Sequence, residues 1–325
     1  MSWPDWIVEN TLNQASKLEM IKIMIDGGIS EDEAIALVAN VKNLPGYQIA
    51  EKLFTEKNKL ISIMANLKNL QNYTEIEKIN MPSDEEFYEK YWRANRPVVI
   101  KDLASSWPAL NIWTFDYLKE NFPDETIEIQ TKRNADKEFE INSISHKENI
   151  KLKDFIKKIE ELSPTNDFYM TANNHVLKNS KLNRLLVDIG KIPNFVKQIS
   201  NNGLSHLWIG PAGTITPLHH DESILFHTQI IGKKTWKFIS PFETPNLYNH
   251  KAVFSLVDLE NIDYEKYPKM KGVKIMEVTV EPGETVFLPL GWWHGVVSLE
   301  KSISLSFNDF IYPNNWVFKD PTGEN

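Results

Sequence analysis

His219 and Asp221 lie two residues apart in the run Thr216-Pro217-Leu218-His219-His220-Asp221. Side chains alternate along an extended strand, so these two share a face and His220 takes the other. A Trp-Trp-His triplet ends far downstream at His294. Brought alongside, His294 completes a face of two imidazoles and one carboxylate. Such a face fills three sites of an octahedral ion and leaves the others open, which is the donor set of non-haem Fe(II) oxygenases. Zinc also accepts His and Asp. A three-ligand hydrolytic zinc site fits the same residues, whereas a closed structural zinc site wants four protein ligands.

The elements that must hold this face are short strands. From Phe168 onward, β-rich runs recur at Phe168–Thr171, Leu204–Ile209, Ile224–Ile231, Lys234–Ile239, Met276–Val280, Thr285–Leu288, Gly295–Ser298 and Ser302–Phe307. Gly210-Pro211, Gly232, Pro241, Pro282-Gly283 and Gly291 punctuate them. Many short strands with turns between them predict a mainly β fold, a sandwich or jelly roll, with a barrel core over about residues 165–311. Before it, Ser83 with Glu86 forms a capping box, and Pro97-Val98-Val99-Ile100 reads as a short strand. Helical pieces are predicted at 114–121 and 151–161. A strand at Thr126-Ile127-Glu128-Ile129 and a hairpin near Asn134-Ala135-Asp136 are predicted between them.

The first 75 residues read as a separate α-helical region, and 76–325 as the catalytic domain, joined by a linker near 71–82. Leu18, Ile21 and Ile25, then Ala34, Leu37, Val38 and Val41, follow helical spacing. Gly27-Gly28 stops one helix, and Ser30 with Glu33 caps the next. Pro45-Gly46 breaks that one. A third runs from Ile49 to Leu70, with Leu53, Leu60, Ile63, Met64 and Leu67 as its expected buried stripe. This region carries no His and is expected to pack on the main domain or on a second subunit, as a homodimer.

Composition narrows the classes. The 325 residues are 42% hydrophobic and 25% charged, ordinary for a soluble globular protein. A formal charge of -8 argues against non-specific nucleic-acid or membrane binding. The chain has no Cys, which excludes disulfides, thiolate metal sites and Cys nucleophiles. The start of the chain lacks a basic, then apolar leader, and no run reaches the roughly 18 apolar residues of a membrane helix. A cytoplasmic enzyme is the expectation.

With these residues in place, the chain resembles the Jumonji-C oxygenases, in the cupin-like hydroxylase branch that includes the asparaginyl hydroxylase of the hypoxia-inducible factor. The resemblance spans roughly residues 82–311. It is carried by Ile209-Gly210-Pro211-Ala212-Gly213-Thr214-Ile215-Thr216-Pro217-Leu218-His219-His220-Asp221, by Gln229-Ile230-Ile231-Gly232-Lys233-Lys234-Thr235-Trp236, by Pro282–Pro289 and by Trp292-Trp293-His294. It implies a double-stranded β-helix that uses Fe(II), 2-oxoglutarate and O2. The implied reaction couples oxidative decarboxylation of 2-oxoglutarate to hydroxylation, releasing succinate and carbon dioxide. The implied substrate is an amino-acid side chain of a protein or peptide, with a free or carrier-bound small molecule as the alternative. A zinc hydrolase, a cupin binding module, or a scaffold acting through its helices are the readings from other classes.

By the same resemblance His219, Asp221 and His294 are the metal ligands and catalytic centre. Lys234, rather than Lys233, matches the lysine that pairs with the far carboxylate of 2-oxoglutarate. Thr216 and Tyr169 match residues that assist it, and Asn308 matches an asparagine near the iron-binding end. Two departures stand out. Leu225 occupies the place of a usual Asn. His227, on the same strand face, stands where relatives carry an apolar residue, and is expected to point into the barrel beside the cosubstrate. Thr171 and Val253-Phe254-Ser255 replace the polar residues that contact the target asparagine, so asparagine hydroxylation is not supported.

Overall fold

Two Gly residues and three Ser caps lay out the first seventy residues. The computed structural model describes residues 2–13, 15–70, 73–172 and 174–314. The chain divides into two compact units, Met1–Gln71 and Asn72–Asn325. The expected linker thus begins on residues 71–72, outside the described set.

The first unit holds helices α1 (Trp3–Leu12), α2 (Lys17–Asp26), α3 (Glu31–Ala39) and α4 (Tyr47–Leu70). The hydroxyls of Ser2, Ser16 and Ser30 accept from backbone N–H groups at the starts of α1, α2 and α3. Gly28 ends α2 with φ +92°, a conformation that a side chain resists. Ile7, Val8, Met20, Met24, Ala34, Val38, Val41 and Tyr47 form the core. Two expectations fail here. Leu18 is 80% exposed, and α2 buries Met20 and Met24 instead. Apolar residues occupy both sides of this helix, so periodicity could not choose between them. The α4 stripe of Leu53, Leu60, Ile63 and Leu67 is exposed, because only the first turn of α4 meets this core.

In the second unit, β1 (Lys78–Ile79) and β2 (Val98–Ile100) precede a hairpin of β3 (Thr126–Gln130) and β4 (Lys147–Lys151). The strands of that hairpin are joined by a long irregular connection rather than a tight turn at Asn134-Ala135-Asp136. The barrel strands follow: β5 (Ser205–Gly210), β6 (Ile215–His220), β7 (Leu225–Ile231), β8 (Lys234–Ile239), β9 (Asn249–Lys251), β10 (Phe254–Ser255), β11 (Met276–Val280), β12 (Thr285–Leu288), β13 (Trp293–Ser298) and β14 (Ser302–Phe307). Phe168–Thr171 forms only isolated bridges, Tyr169 to Gln130 and Met170 to Ile209.

One sheet runs β1-β2-β12-β7-β14-β5 and the other β11-β8-β13-β6-β10-β9. Successive strands β5 to β8 alternate between the sheets, the antiparallel jelly roll of the cupin fold. The outer face of the first sheet is covered by an aromatic cluster. Phe226, Phe287 and Phe307 pack there with Phe87, Phe195 and Phe310. The outer face of the second sheet carries Leu218, Ile239 and Trp293 under a layer including Leu247, Val257 and Met270. Both sheets are therefore covered outside, and their inner faces are left to build a site.

Phe226 is fully buried at the centre of the aromatic cluster. Phe226→Ala is expected to destabilise the second unit by about 3–5 kcal/mol, read as a shift in the urea unfolding midpoint at constant slope.

Candidate active site

Strands β6 and β13 are antiparallel neighbours, with His219 and His294 directly opposed. Their ring centroids lie 4.1 Å apart. Asp221 follows the end of β6, with Oδ1 3.5 Å from His219 Nε2 and Oδ2 4.0 Å from His294 Nε2. One ligand atom from each of the three lies within 4.8 Å of the others. The expected triad is thus brought together.

Its protons are arranged for a metal. Nδ1 of His219 is 2.9 Å from the Pro217 carbonyl, and Nδ1 of His294 is 3.1 Å from the Trp292 carbonyl. A carbonyl only accepts, so each Nδ1 donates, and in the neutral ring each Nε2 keeps a lone pair for the shared centre. Burial pushes His294 down to about 3, and the nearby His219 adds to this, so its imidazole is neutral. Burial would raise Asp221, but the adjoining His219 and His294 rings hold it below its usual value. An anionic carboxylate between two imidazole Nε2 atoms fits a divalent ion, and three ligands leave positions open.

Thr216 needs a further device. It lies three residues before His219, so strict alternation would turn it to the opposite face. The register corrects this. His294 opposes His219, but Val296 opposes Thr216, so three steps on β6 match two on β13. This one-residue bulge returns Thr216 to the inner side. Pro217, which has no N–H to give a ladder, sits inside it. His220 was expected to face outward. It does take the other face, against Trp293 at 4.8 Å between centroids, but it is buried there because that face is itself covered.

The triad lies in a cavity of about 600 Å³ between the sheets. Thr216, Tyr169, Lys234, His227 and Asn308 all line it with the ligands. Gly232, between β7 and β8, has φ +72°, and a Cβ there would stand 2.2 Å from the Lys301 carbonyl. This glycine-only crossing sets the register after it. Lys233 goes to the surface and pairs with Glu281 at 2.8 Å, while Lys234 turns inward and is 1% exposed. Lys234 Nζ donates to the Tyr169 hydroxyl at 3.0 Å. Among the described residues it has no acidic partner. Burial lowers its pKa to about 7 and raises that of Tyr169.

Lys234 lies four residues from Phe238, the partner of His294 across β8 and β13. The lysine and metal ends are therefore about 13 Å apart along the strands, at about 3.3 Å per residue. Trp236 lies between them, stacked on His294 at 5.6 Å. A short dicarboxylate suits this span, with one end on a cation and the other at an open metal position. Asn308 Nδ2 donates to Ser223 Oγ at 3.2 Å, and its Oδ1 is buried without a partner. The residues present fit both Fe(II) and 2-oxoglutarate.

Residues that the sequence did not single out complete the walls. Trp208 and Trp236 flank the interior, and Glu140 and the exposed Glu222 also line the cavity. Glu140 is held by buried Arg133 at 2.9 Å. Glu140 lies in an irregular stretch with no period to mark it. Phe254 stacks on His219 at 5.7 Å, placing an apolar wall beside the metal face.

A cation that titrates near neutrality makes anion binding pH-dependent. Lys234 is charged below about 7 and loses its proton above it. Affinity for 2-oxoglutarate is expected to be fully present at about pH 6 and to weaken up to tenfold per unit above about pH 7. Proton uptake on binding should appear as buffer-dependent heat in calorimetry. An affinity that stays flat to about pH 9 would contradict this.

Comparison with known proteins agrees with this geometry. Residues 83–312 match the cupin-like domain family. The chain is 32% identical over 240 residues to lysine-specific demethylase JMJ30 of Arabidopsis thaliana, covering 71% of this chain and 54% of that protein. It is 30% identical over 238 residues to lysine-specific demethylase 8 of Xenopus tropicalis, covering 71% and 52%. It is 30% identical over 245 residues to Jumonji C domain-containing protein 5 of Drosophila melanogaster, covering 71% and 58%. The chain thus spans about half the length of these relatives. Two of the three are named as demethylases, so the likeness is to Jumonji-C proteins broadly rather than to the asparaginyl hydroxylase. Among the described residues no helix is long and apolar enough to cross a membrane. With its metal face, its jelly roll and this match over most of its length, the chain belongs to the cupin-like domain family, within the Jumonji-type Fe(II)/2-oxoglutarate oxygenase superfamily.

Proposed function

We propose that this chain is an Fe(II)- and 2-oxoglutarate-dependent oxygenase that hydroxylates an amino-acid side chain of a protein or peptide. The observation that carries the reading is Lys234. A buried ammonium without an acidic partner is costly, and it shares one cavity with a two-His-one-carboxylate face. A zinc hydrolase needs the metal face but has no use for that cation. A dicarboxylate cosubstrate needs both.

When bound, iron and 2-oxoglutarate supply oxidative decarboxylation coupled to C–H hydroxylation, with succinate and carbon dioxide as co-products. The protein's own part is to orient and enclose. His219, Asp221 and His294 hold one face of the ion and leave the rest open. Lys234, Tyr169 and Thr216 take the far carboxylate. Trp236, Val296 and Leu225 keep water from the cosubstrate's length. The substrate side chain enters past Glu140 and Glu222 and meets Phe254 and Val253 beside His219. Two relatives are named lysine-specific demethylases. Hydroxylation of an N-methyl carbon releases that carbon as formaldehyde, so demethylation and stable hydroxylation are two outcomes of one reaction. Acidic groups at the opening and an apolar wall suit the methylene stem and charged tip of a basic side chain.

The full chain, loaded anaerobically with Fe(II) and given 2-oxoglutarate, ascorbate and air, is expected to form succinate. His219→Ala and Lys234→Met should each lower that rate at least about a hundredfold. Mass spectrometry of a peptide library would show gain of one oxygen or loss of a methylene. An iron-loaded chain that forms no succinate, or a zinc-loaded one that hydrolyses the peptides, would sink the proposal.

A further inference from the structure

Strand β7 turns three side chains to one face in alternation, Leu225, His227 and Gln229, and the first two line the cavity. Leu225 has nothing to donate. Gln229 is already satisfied, because its amide donates to the Ile231 carbonyl at 2.6 Å and its oxygen accepts from Ser304 at 2.9 Å. His227 differs from both. It lines the cavity and is 4% exposed, and its Nε2 is buried with no hydrogen-bond partner among the described residues. A polar group buried without a partner costs stability unless a ligand supplies one.

The ring is also held in place. Trp208 lies 5.7 Å from it and Trp236 5.0 Å, the latter edge-on at 69°. Trp208 is itself fixed, since its Nε1 donates to Ser306 Oγ at 2.9 Å, and Ser306 is the strand neighbour of His227. Trp236 also stacks on His294 and on Phe238. His227 therefore stands on the sheet facing the metal ligands, between the lysine end and the metal end, where it feels the charge of Lys234. Burial, with Lys234 next, keeps the imidazole neutral, so it carries one N–H donor and no charge of its own.

We infer that His227 is a cosubstrate-binding residue whose ring N–H donates to a carboxylate oxygen of 2-oxoglutarate. It supplies from the middle of β7 the contact that apolar Leu225 cannot make. The inference rests on the oxygenase reading above and extends it to a residue outside the metal and lysine ends. The competing account is that His227 only fills space between two indoles.

The test is calorimetric titration of 2-oxoglutarate into the full chain loaded with Mn(II), which binds without turnover. His227→Phe keeps the ring volume and removes the donor, and is expected to weaken binding about tenfold. His227→Gln restores an N–H donor and should stay within about threefold of wild type. Unchanged affinity in His227→Phe would overturn the inference, as would equal loss in both variants, which is the packing result. A wild-type chain that binds Mn(II) but gives no heat with 2-oxoglutarate would remove the oxygenase reading together with this one. A second measurement needs no apolar variant to fold. In the Zn(II)-loaded wild type, adding 2-oxoglutarate should shift one imidazole N–H signal and slow its exchange, and that signal should be missing in His227→Gln. No imidazole response to the saturating ligand would overturn the inference.

Discussion

Antiparallel pairing of β6 with β13 that opposes His219 to His294 is what this site depends on. That pairing sets His219 against His294, and a slip of one residue would turn His294 outward and bring Trp293 in. The two tryptophans before His294 oppose such a slip. Trp292 Nε1 donates to the Asn95 carbonyl and Trp293 Nε1 to Thr244 Oγ1, each at 2.8 Å. Both indoles are buried, so either bond, once broken, would leave a donor stranded. The triplet is thus a ligand preceded by two anchors. The bulge at Pro217 then adjusts the neighbouring strand so that Thr216 joins the same side.

Charge inside the barrel follows from this frame. The inner faces hold His219, Asp221, His294, Lys234 and His227, groups that ordinarily seek water. Pairing settles some of them: Asp221 sits between the His219 and His294 imidazoles. Among the described residues Lys234 has no acidic partner and His227 Nε2 no hydrogen-bond partner, and both side chains line the same cavity. Covering the outer faces with aromatic and aliphatic clusters provides the stability against which these unpaired groups are retained.

Much of this was legible in the chain. The spacing of His219 and Asp221 gave a shared side, and turn residues gave most barrel strands within a residue or two. Pairing of His294 with His219 was not readable from periodicity, because it is a contact between strands far apart in sequence. The choice of Lys234 over Lys233 came from the family resemblance, and the close approach of Lys301 to Gly232 gives the steric reason. His220 shows the opposite limit. Alternation gave its direction correctly but could not say that Leu247, Val257 and Met270 cover that side. In the helical unit, apolar residues on several faces of α2 and α4 left the buried one undetermined. Glu140 and Trp208 gave no signal, since each gains its position from tertiary packing.

The order of strands in the second sheet has a consequence for partial opening. β11 and β9 are the edges, while β13 is flanked by β8 and β6. Edge strands fray first, because they lose one ladder rather than two. A molecule that sheds β9 and β10 carries Phe254 away and uncovers the side of the metal face, yet keeps His294, Lys234 and Trp236 on two strands still paired along their length. Breathing of this barrel would therefore widen the doorway for a bulky substrate while the cosubstrate's floor stays shut.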